Sequence, residues 1–152
     1  EIPQLEHGQA DLMSKARDVI ANSLEGYGQP QETYSMIHAD LHMHNLVLSS
    51  QGLHIIDFDD AGFGWHQFDL AVALHEYLDH KAYPEILAAL LEGYRARRSL
   101  DAAAEALIPL FLLVRSVMSL GWLHQRPELG RDRYIPEMIE NACRHTRYFL
   151  ET

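Results

Sequence analysis

The sequence is poor in cysteine and in positive charge. Cys143 is the one cysteine among 152 residues, so an internal disulfide is impossible and a reducing, cytoplasmic location is expected. Lys and Arg together number 12 against 22 Asp and Glu, which gives a net charge of −10. Acidic surfaces repel nucleic acids and anionic membranes, so neither is expected as a partner. The acidity favours a cationic substrate, although an acidic balance usually serves only solubility.

Long uninterrupted apolar stretches are also absent. The longest apolar stretch, Ala102 to Leu123, is interrupted by Glu105, Pro109 and Arg115, which predicts a buried core helix rather than a membrane span. The N-terminal EIPQLEHGQ is polar and lacks a basic segment, so it does not have the pattern of a signal peptide. Hydrophobic residues nevertheless make up 47% of the chain, which excludes a disordered protein and is enough to form a core.

The most informative stretch is His38 to Asp60, which reads HADLHMHNLVLSSQGLHIIDFDD. Two short apolar runs within it, Asn45 to Leu48 and Leu53 to Ile56, flank the Gly-containing turn SSQG. Apolar runs of this length around such a turn predict a β-hairpin.

Polar side chains capable of chemistry lie at both ends of this hairpin. Asp40, His42 and Asn45 precede or open its first strand, and Asp57 closes the second. A hairpin is rigid, so it is expected to hold Asn45 and Asp57 near each other. Two oxygen-bearing side chains at one edge suit Mg²⁺, which takes few protein ligands and keeps waters and phosphates. Asp40 is then expected close by, able to accept a proton.

The pattern H-x-D-L-H-x-x-N, followed after the hairpin by I-D-F-D-D-A, resembles the aminoglycoside phosphotransferase and choline kinase-like family of small-molecule kinases. That family is related in fold to the protein kinases. The five-residue gap between Asp40 and Asn45 equals that of the kinase catalytic loop H-R-D-x-x-x-x-N. The match extends from His38 to Asp69-Leu70-Ala71.

The resemblance implies transfer of the γ-phosphoryl group of ATP or GTP to a hydroxyl group of a small molecule. Asp40 would accept or orient the hydroxyl proton, and Asn45 and Asp57 would hold Mg²⁺ against the phosphates. Asp59 is a further candidate metal ligand. The residues implied to support the catalytic loop are His38, His42 and Asp69.

Apolar periodicity predicts a mainly helical α+β domain over residues 1–152. The predicted helices are Gln9–Leu24 and, after the hairpin, 68–78, 83–97, 101–123 with a bend at Pro109, and 135–150. Residues 34–37 are predicted to form a short strand, and 59–68 and 126–133 to form loops. This order is that of the C-terminal lobe of the resembled kinases. Their strand-rich N-terminal lobe has no counterpart before His38, where the only lysine is Lys15, so the chain is interpreted as a C-lobe fragment, inactive alone.

Two other interpretations stay open. DLHMH also resembles the opening motif of metal-dependent phosphoesterases of the polymerase-and-histidinol-phosphatase type, in which His42 and His44 would bind a metal. That fold needs a barrel of more than about 200 residues. Alternatively the chain is a non-catalytic binding or assembly module, and an apolar face left by the missing lobe favours self-association. The sequence indicates neither the acceptor nor the roles of Trp65, Arg115 and Trp122.

Overall fold

The computed structural model describes residues 5–126, 128 and 132–151, and within them the chain forms six α-helices and four short strands. The helices are α1 (His7–Tyr27), α2 (His66–His75), α3 (Tyr83–Arg95), α4 (Ala102–Glu105), α5 (Ile108–His124) and α6 (Ile135–Glu151). The strands are β1 (Tyr34–Ile37), β2 (Leu46–Ser49), β3 (Gly52–Ile55) and β4 (Gly62–Trp65).

Strands β2 and β3 form the predicted antiparallel hairpin. Leu46 lies opposite Ile55, and Ser49 lies opposite Gly52, so the connection is shorter than the four-residue turn expected from the sequence. The N–H of Ile56 donates to the carbonyl of Asn45 at 3.0 Å, which continues the pairing one residue beyond the strands. Asn45 therefore lies opposite Ile56, the residue directly before Asp57 in the sequence.

A second antiparallel pair, β1 with β4, corrects the prediction of a loop between the hairpin and the next helix. Gly62 and Gly64 disfavour a strand in Gly62–Trp65, so this strand depends on pairing with Tyr34–Ile37, a long-range contact. Gly64 lies opposite Ser35, and a Cβ built on it would lie 2.5 Å from Cδ1 of Ile37. A glycine is needed there because the buried Ile37 side chain occupies that space.

The chain divides into two compact units, and the boundary falls inside α5. The first unit is Gln29–Leu112 and contains both sheets, α2, α3 and α4. Its buried side chains come mainly from α2 and from the first turns of α5: Phe68, Leu70, Ala71, Val72, Leu74, Ile108, Leu110 and Phe111. The ring of Trp65 packs against those of Tyr34 and Phe111, with centroids 5.2 and 5.9 Å apart.

The second unit is formed by Glu1–Gly28 and Leu113–Thr152. Its core is an apolar cluster from α5 and α6, against which α1 packs: Leu120, Leu123, Ile135, Ile139, Ala142 and Cys143. Cys143 is 2% exposed, and burial raises the pKa of its thiol. Cys143 is therefore packed as a small apolar side chain of this cluster.

The predicted helix 101–123 is two helices in the structure. Asp101 caps α4 by accepting the N–H of Ala104 at 2.7 Å, as its position before the helix indicates. The break falls at residues 106–107, ahead of Pro109, because proline fits the first turn of a helix better than its interior. The segment Ala102–His124 is long and apolar enough to cross a membrane, but 44% of its most apolar window is buried within the protein. The predicted loop 126–133 includes positions 127 and 129–131, which lie outside the described residues.

Candidate active site

The segment from His38 to Asn45, here called the catalytic loop, connects β1 to β2 and is anchored by Asp69 of α2. One carboxylate oxygen of Asp69 accepts the N–H of His38 at 2.9 Å, and the other accepts the N–H of Ala39 at 2.8 Å. Carboxylates that accept two backbone N–H groups form strong, charge-assisted hydrogen bonds. The helix therefore fixes the start of the loop.

The imidazole of His38 connects the loop to the end of the hairpin. His38 is buried, and its Nε2 lies 2.9 Å from the carbonyl oxygen of Ile56, which can only accept a hydrogen bond. Its Nδ1 accepts the N–H of Asp40 at 3.3 Å. One ring thus ties Asp40 to the residue that precedes Asp57.

The carboxylate of Asp40 is contacted by two side chains of the same loop. Nε2 of His42 lies 3.2 Å from Oδ2 of Asp40, and Nδ2 of Asn45 lies 3.4 Å from the same oxygen. The side chains of Asp40 and His42 are 24% and 20% exposed, so water reaches them only in part. This is a carboxylate held in one orientation at the protein surface.

Asn45 is the most buried of the candidate metal ligands. Its side-chain amide nitrogen donates to the carbonyl oxygen of Asp40 at 2.9 Å, and its backbone N–H donates to the carbonyl of His42 at 3.0 Å. Because the nitrogen is used inside the loop, the side-chain oxygen is the atom left to bind a cation. An amide oxygen is a suitable ligand for Mg²⁺ or Ca²⁺.

Asp57 and Asp59 lie at the surface beyond β3. In the part of the chain that the structure describes, neither carboxylate takes part in a hydrogen bond or an ion pair. Asp57 has a φ of 64°, in the left-handed region. It directly follows Ile56, which pairs with Asn45, so the backbone brings these two candidate ligands to the same end of the hairpin. Asp59 lies two residues further, in a turn closed by the N–H of Ala61 and the carbonyl of Phe58.

Three contributions to this site were not predicted from the sequence. Ala39 adopts a φ of 66°, the carbonyl of Ile56 holds His38, and the ring of Phe58 packs on that of His38 with centroids 4.6 Å apart. No sequence signal indicates the first, since alanine has a Cβ and is disfavoured in the left-handed region like other L-amino acids. The other two depend on contacts between segments far apart in sequence.

The phosphoesterase interpretation finds no support in this geometry. His42 and His44 are neighbours, with ring centroids 5.5 Å apart, but Nδ1 of His42 is already used to accept the N–H of His44. Among the described residues, no group of three or more His, Cys, Asp and Glu side chains could hold a metal ion. The four described strands form two separate pairs rather than a barrel.

Comparison with known proteins identifies the family. The family model described as APH, phosphotransferase enzyme family, matches residues 3–106. The chain belongs to this family. Amicoumacin kinase of Bacillus subtilis (strain 168) is 31% identical to this APH-family chain over 122 residues, which are 74% of this chain and 36% of that protein.

Solved structures of small-molecule kinases confirm the kinase-like fold. A microcompartment-associated aminopropanol kinase matches with a TM-score of 0.71 and 31% identity, over 93% of this chain and 43% of that chain. Amicoumacin kinase hAmiN, in complex with AMP-PNP, Ca²⁺ and Ami, matches with a TM-score of 0.73 and 25% identity, over 91% and 46%. The APH-family chain therefore spans less than half the length of each of these relatives.

Proposed function

We propose that this chain is the C-terminal lobe of a small-molecule kinase that transfers the γ-phosphoryl group of ATP or GTP to a hydroxyl group. Its family and fold support a kinase of this class. The observation that carries the proposal is the pairing of Asp40 with Asn45, whose amide nitrogen contacts both the carbonyl and the carboxylate of Asp40. This contact places a candidate base beside a candidate metal ligand.

In the proposed reaction, Asp40 acts as the base. The acceptor hydroxyl oxygen forms a bond to the γ-phosphorus as the bond from that phosphorus to the bridging oxygen breaks, and the nucleoside diphosphate leaves. The hydroxyl proton passes to the carboxylate of Asp40, which His42 and Asn45 hold in place. Phosphoryl transfer of this kind relies mostly on positioning and charge stabilisation.

The donor set fits a hard divalent cation. An amide oxygen from Asn45 and carboxylate oxygens from Asp57, with Asp59 as a further candidate, are ligands that Mg²⁺ accepts, and Mg²⁺ usually needs only one or two protein groups. When bound, Mg²⁺ would neutralise charge on the nucleotide phosphates. The relative whose structure is a complex with AMP-PNP and Ca²⁺ is consistent with a divalent cation accompanying the nucleotide.

We further propose a small, amine-bearing alcohol as the acceptor. The net charge of −10 favours a cationic molecule electrostatically, and the aminopropanol kinase that matches this fold is named for a compound with an amino and a hydroxyl group. The nucleotide-covering lobe would come from residues outside this chain. This chain alone is expected to be inactive.

A coupled assay on the complete gene product tests this proposal. With ATP and Mg²⁺ supplied, formation of ADP must depend on an added amino alcohol, and the product must be a phosphate monoester of that alcohol. A phosphoesterase would instead release inorganic phosphate from monoesters without any nucleotide. A binding module would show neither activity, and either result would rule out the kinase assignment.

A further inference from the structure

We propose that His42 is a positioning residue for the phosphoryl transfer, one that fixes the carboxylate of Asp40 through a hydrogen bond from its Nε2–H. This inference rests on the proposed function of Asp40 as the base. It assigns to His42 a role separate from supporting the fold of the catalytic loop.

The hydrogen-bond partners of His42 indicate which of its ring nitrogens carries the proton. The backbone N–H of His44 donates to Nδ1 of His42 at 3.2 Å, and a ring nitrogen that accepts a hydrogen bond is unprotonated. The proton of a neutral imidazole must then be on Nε2. That nitrogen lies 3.2 Å from Oδ2 of Asp40, a carboxylate oxygen that can only accept.

The two ends of the ring therefore serve different purposes. His42 is the N-cap of the 3₁₀ helix Met43–Asn45, and its Nδ1 accepts the backbone N–H of His44. Nε2 reaches back to Asp40, two residues earlier. The cap holds the ring in place, and the ring in turn limits rotation of the Asp40 carboxylate. Nδ2 of Asn45 contacts the same oxygen from the other end of the loop.

Restricted rotation matters for a base in phosphoryl transfer. Misplacement of a reacting group by about 1 Å can reduce a rate about 10²-fold, because the reacting atoms must be aligned. Without the Nε2–H donor, the Asp40 carboxylate keeps one of these two side-chain contacts, the long one of 3.4 Å to Asn45. Loss of the donor is therefore expected to lower kcat more than it changes KM.

Two amide substitutions test the roles of the two ring nitrogens of His42 separately. His42→Asn places an oxygen near the position of Nδ1, which preserves the cap, but its side chain is too short to reach Asp40. His42→Gln places an amide N–H near the position of Nε2, which preserves the donor, but loses the acceptor at Nδ1. A purely structural role predicts that H42N is the milder variant, whereas the positioning role predicts that H42Q is.

His80 provides a matched control outside the site. Its Nδ1 accepts the N–H of Ala82, two residues later, at 3.2 Å, the same local arrangement as in His42. It lies in an exposed segment between α2 and α3. His80→Asn therefore reports the effect of replacing by asparagine a histidine whose Nδ1 accepts the N–H two residues later, at a position outside the proposed site.

Steady-state kinetics on the complete gene product are the first test. H42N is expected to lower kcat about 10²-fold with KM for ATP little changed, H42Q to restore most of that loss, and H80N to match the wild type. Wild-type kcat in H42N, or H42N more active than H42Q, would overturn the inference. Asp40→Asn distinguishes this failure from that of the proposed function. If D40N is inactive, an active H42N refutes only the role of His42, whereas an active D40N refutes the proposed function itself.

A spectroscopic test does not require activity or a folded H42N. In long-range ¹H–¹⁵N correlation spectra of the complete gene product, His42 is expected as the Nε2–H tautomer with unprotonated Nδ1. The signals of His42 are identified as those that are missing from the spectrum of the H42Q variant. Protonation of Nδ1, or rapid averaging between the two tautomers, would contradict the inference.

Discussion

At the scale of single residues, two positions of the site have a backbone that L-amino acids rarely adopt. Ala39 and Asp57 have φ angles of 66° and 64°. Ala39 directly follows His38, and Asp57 directly follows Ile56, whose carbonyl oxygen is hydrogen-bonded to the His38 ring. A non-glycine residue in this region costs about 1–2 kcal/mol, and such residues cluster at functional sites where the surroundings impose them. Here the imposing contacts are the two N–H bonds to Asp69 and the bond from His38 to Ile56.

Replacing Ala39 by glycine tests whether that backbone is strained. Relief of about 1–2 kcal/mol should offset or exceed the usual glycine penalty of about 1 kcal/mol, so A39G should leave the free energy of unfolding between that of wild type and about 1 kcal/mol above it. Ala88→Gly, at an exposed position inside α3, should lower it by about 1 kcal/mol. Urea unfolding measures both. Equal losses in the two variants would show that Ala39 is unstrained.

His66 provides a pH-dependent prediction. Burial lowers the pKa of His66 below its ordinary value and Arg98 lowers it further, while Asp69 and the carbonyl of Glu32 act in the opposite direction. The unfolded chain then binds a proton at higher pH than the folded chain does. This contribution to stability is therefore fully present above about pH 6.5, and it is lost as the pH falls from there through the lower pKa of the folded chain.

The variant His66→Gln should remove this contribution. Gln retains a polar group that can reach Ser35, whose Oγ lies 2.7 Å from Nε2 of His66, but it does not titrate. Urea unfolding of wild type and H66Q between about pH 8 and pH 5.5 should show a smaller decline of the free energy of unfolding in H66Q. Parallel pH profiles for the two proteins would contradict the assignment.

At the scale of elements, the site depends on two short sheets that share the catalytic loop. β1 leads into the loop and is held by β4, while β2 leads out of it and is held by β3. The β1–β4 pair requires close packing, because Gly64 leaves room for the side chain of Ile37, the residue directly before His38. Disturbing this contact should therefore destabilise the start of the loop.

Alanine substitution at the two glycines of β4 should have opposite effects. G64A forces a Cβ against Ile37 and should lower the free energy of unfolding by about 1–2 kcal/mol. In G62A the new Cβ meets nothing within 4 Å, so the loss of glycine flexibility should stabilise the protein by up to about 0.5–1 kcal/mol. Adding Ile37→Val, which removes Cδ1, should recover part of the G64A loss. Equal effects of G62A and G64A would refute this packing.

The elements that sequence patterns predicted are those with local causes. The hairpin, β1, α3 with Pro84 in its first turn, and the cap at Asp101 all follow from neighbouring residues. β4 was missed because Gly-Phe-Gly-Trp becomes a strand only by pairing with β1. The break between α4 and α5 was placed too late, at Pro109 rather than before it. The candidate roles of Asp40, Asn45 and Asp57 came from their spacing around the hairpin and from the family resemblance. The hydrogen bonds that Asp69 and the Ile56 carbonyl accept, which orient the loop, require the folded chain.

At the scale of the whole molecule, the hairpin exposes many apolar side chains. Leu48 is 81% exposed and Leu53, its cross-strand partner, is 62% exposed. Further exposed apolar residues of this segment are Val47, Ile55, Ile56 and Phe58. Since the chain spans less than half of its relatives, this surface is a candidate for burial by residues outside the chain, and in isolation it favours association.

This chain alone is therefore expected to self-associate through the hairpin. Sedimentation velocity should show concentration-dependent oligomers for the wild type. Leu48→Lys with Leu53→Glu places an opposite-charge pair across the hairpin, which should keep the strands paired and shift the chain to the monomer. Met118→Lys, an exposed apolar position in α5, serves as the control and should associate like the wild type. Monomeric wild type, or association that persists in the double variant, would rule out this surface.

We propose Asp40 as the base of a kinase whose nucleotide is held by other groups. This proposal is tested most directly by measuring kcat and the Kd for ATP on the same preparation of the complete gene product carrying Asp40→Asn. Loss of the base should lower kcat by at least about 10²–10⁴-fold, while the Kd for ATP with Mg²⁺ stays close to that of the wild type. A D40N variant that turns over at the wild-type rate, or one that loses ATP binding together with activity, would contradict the account.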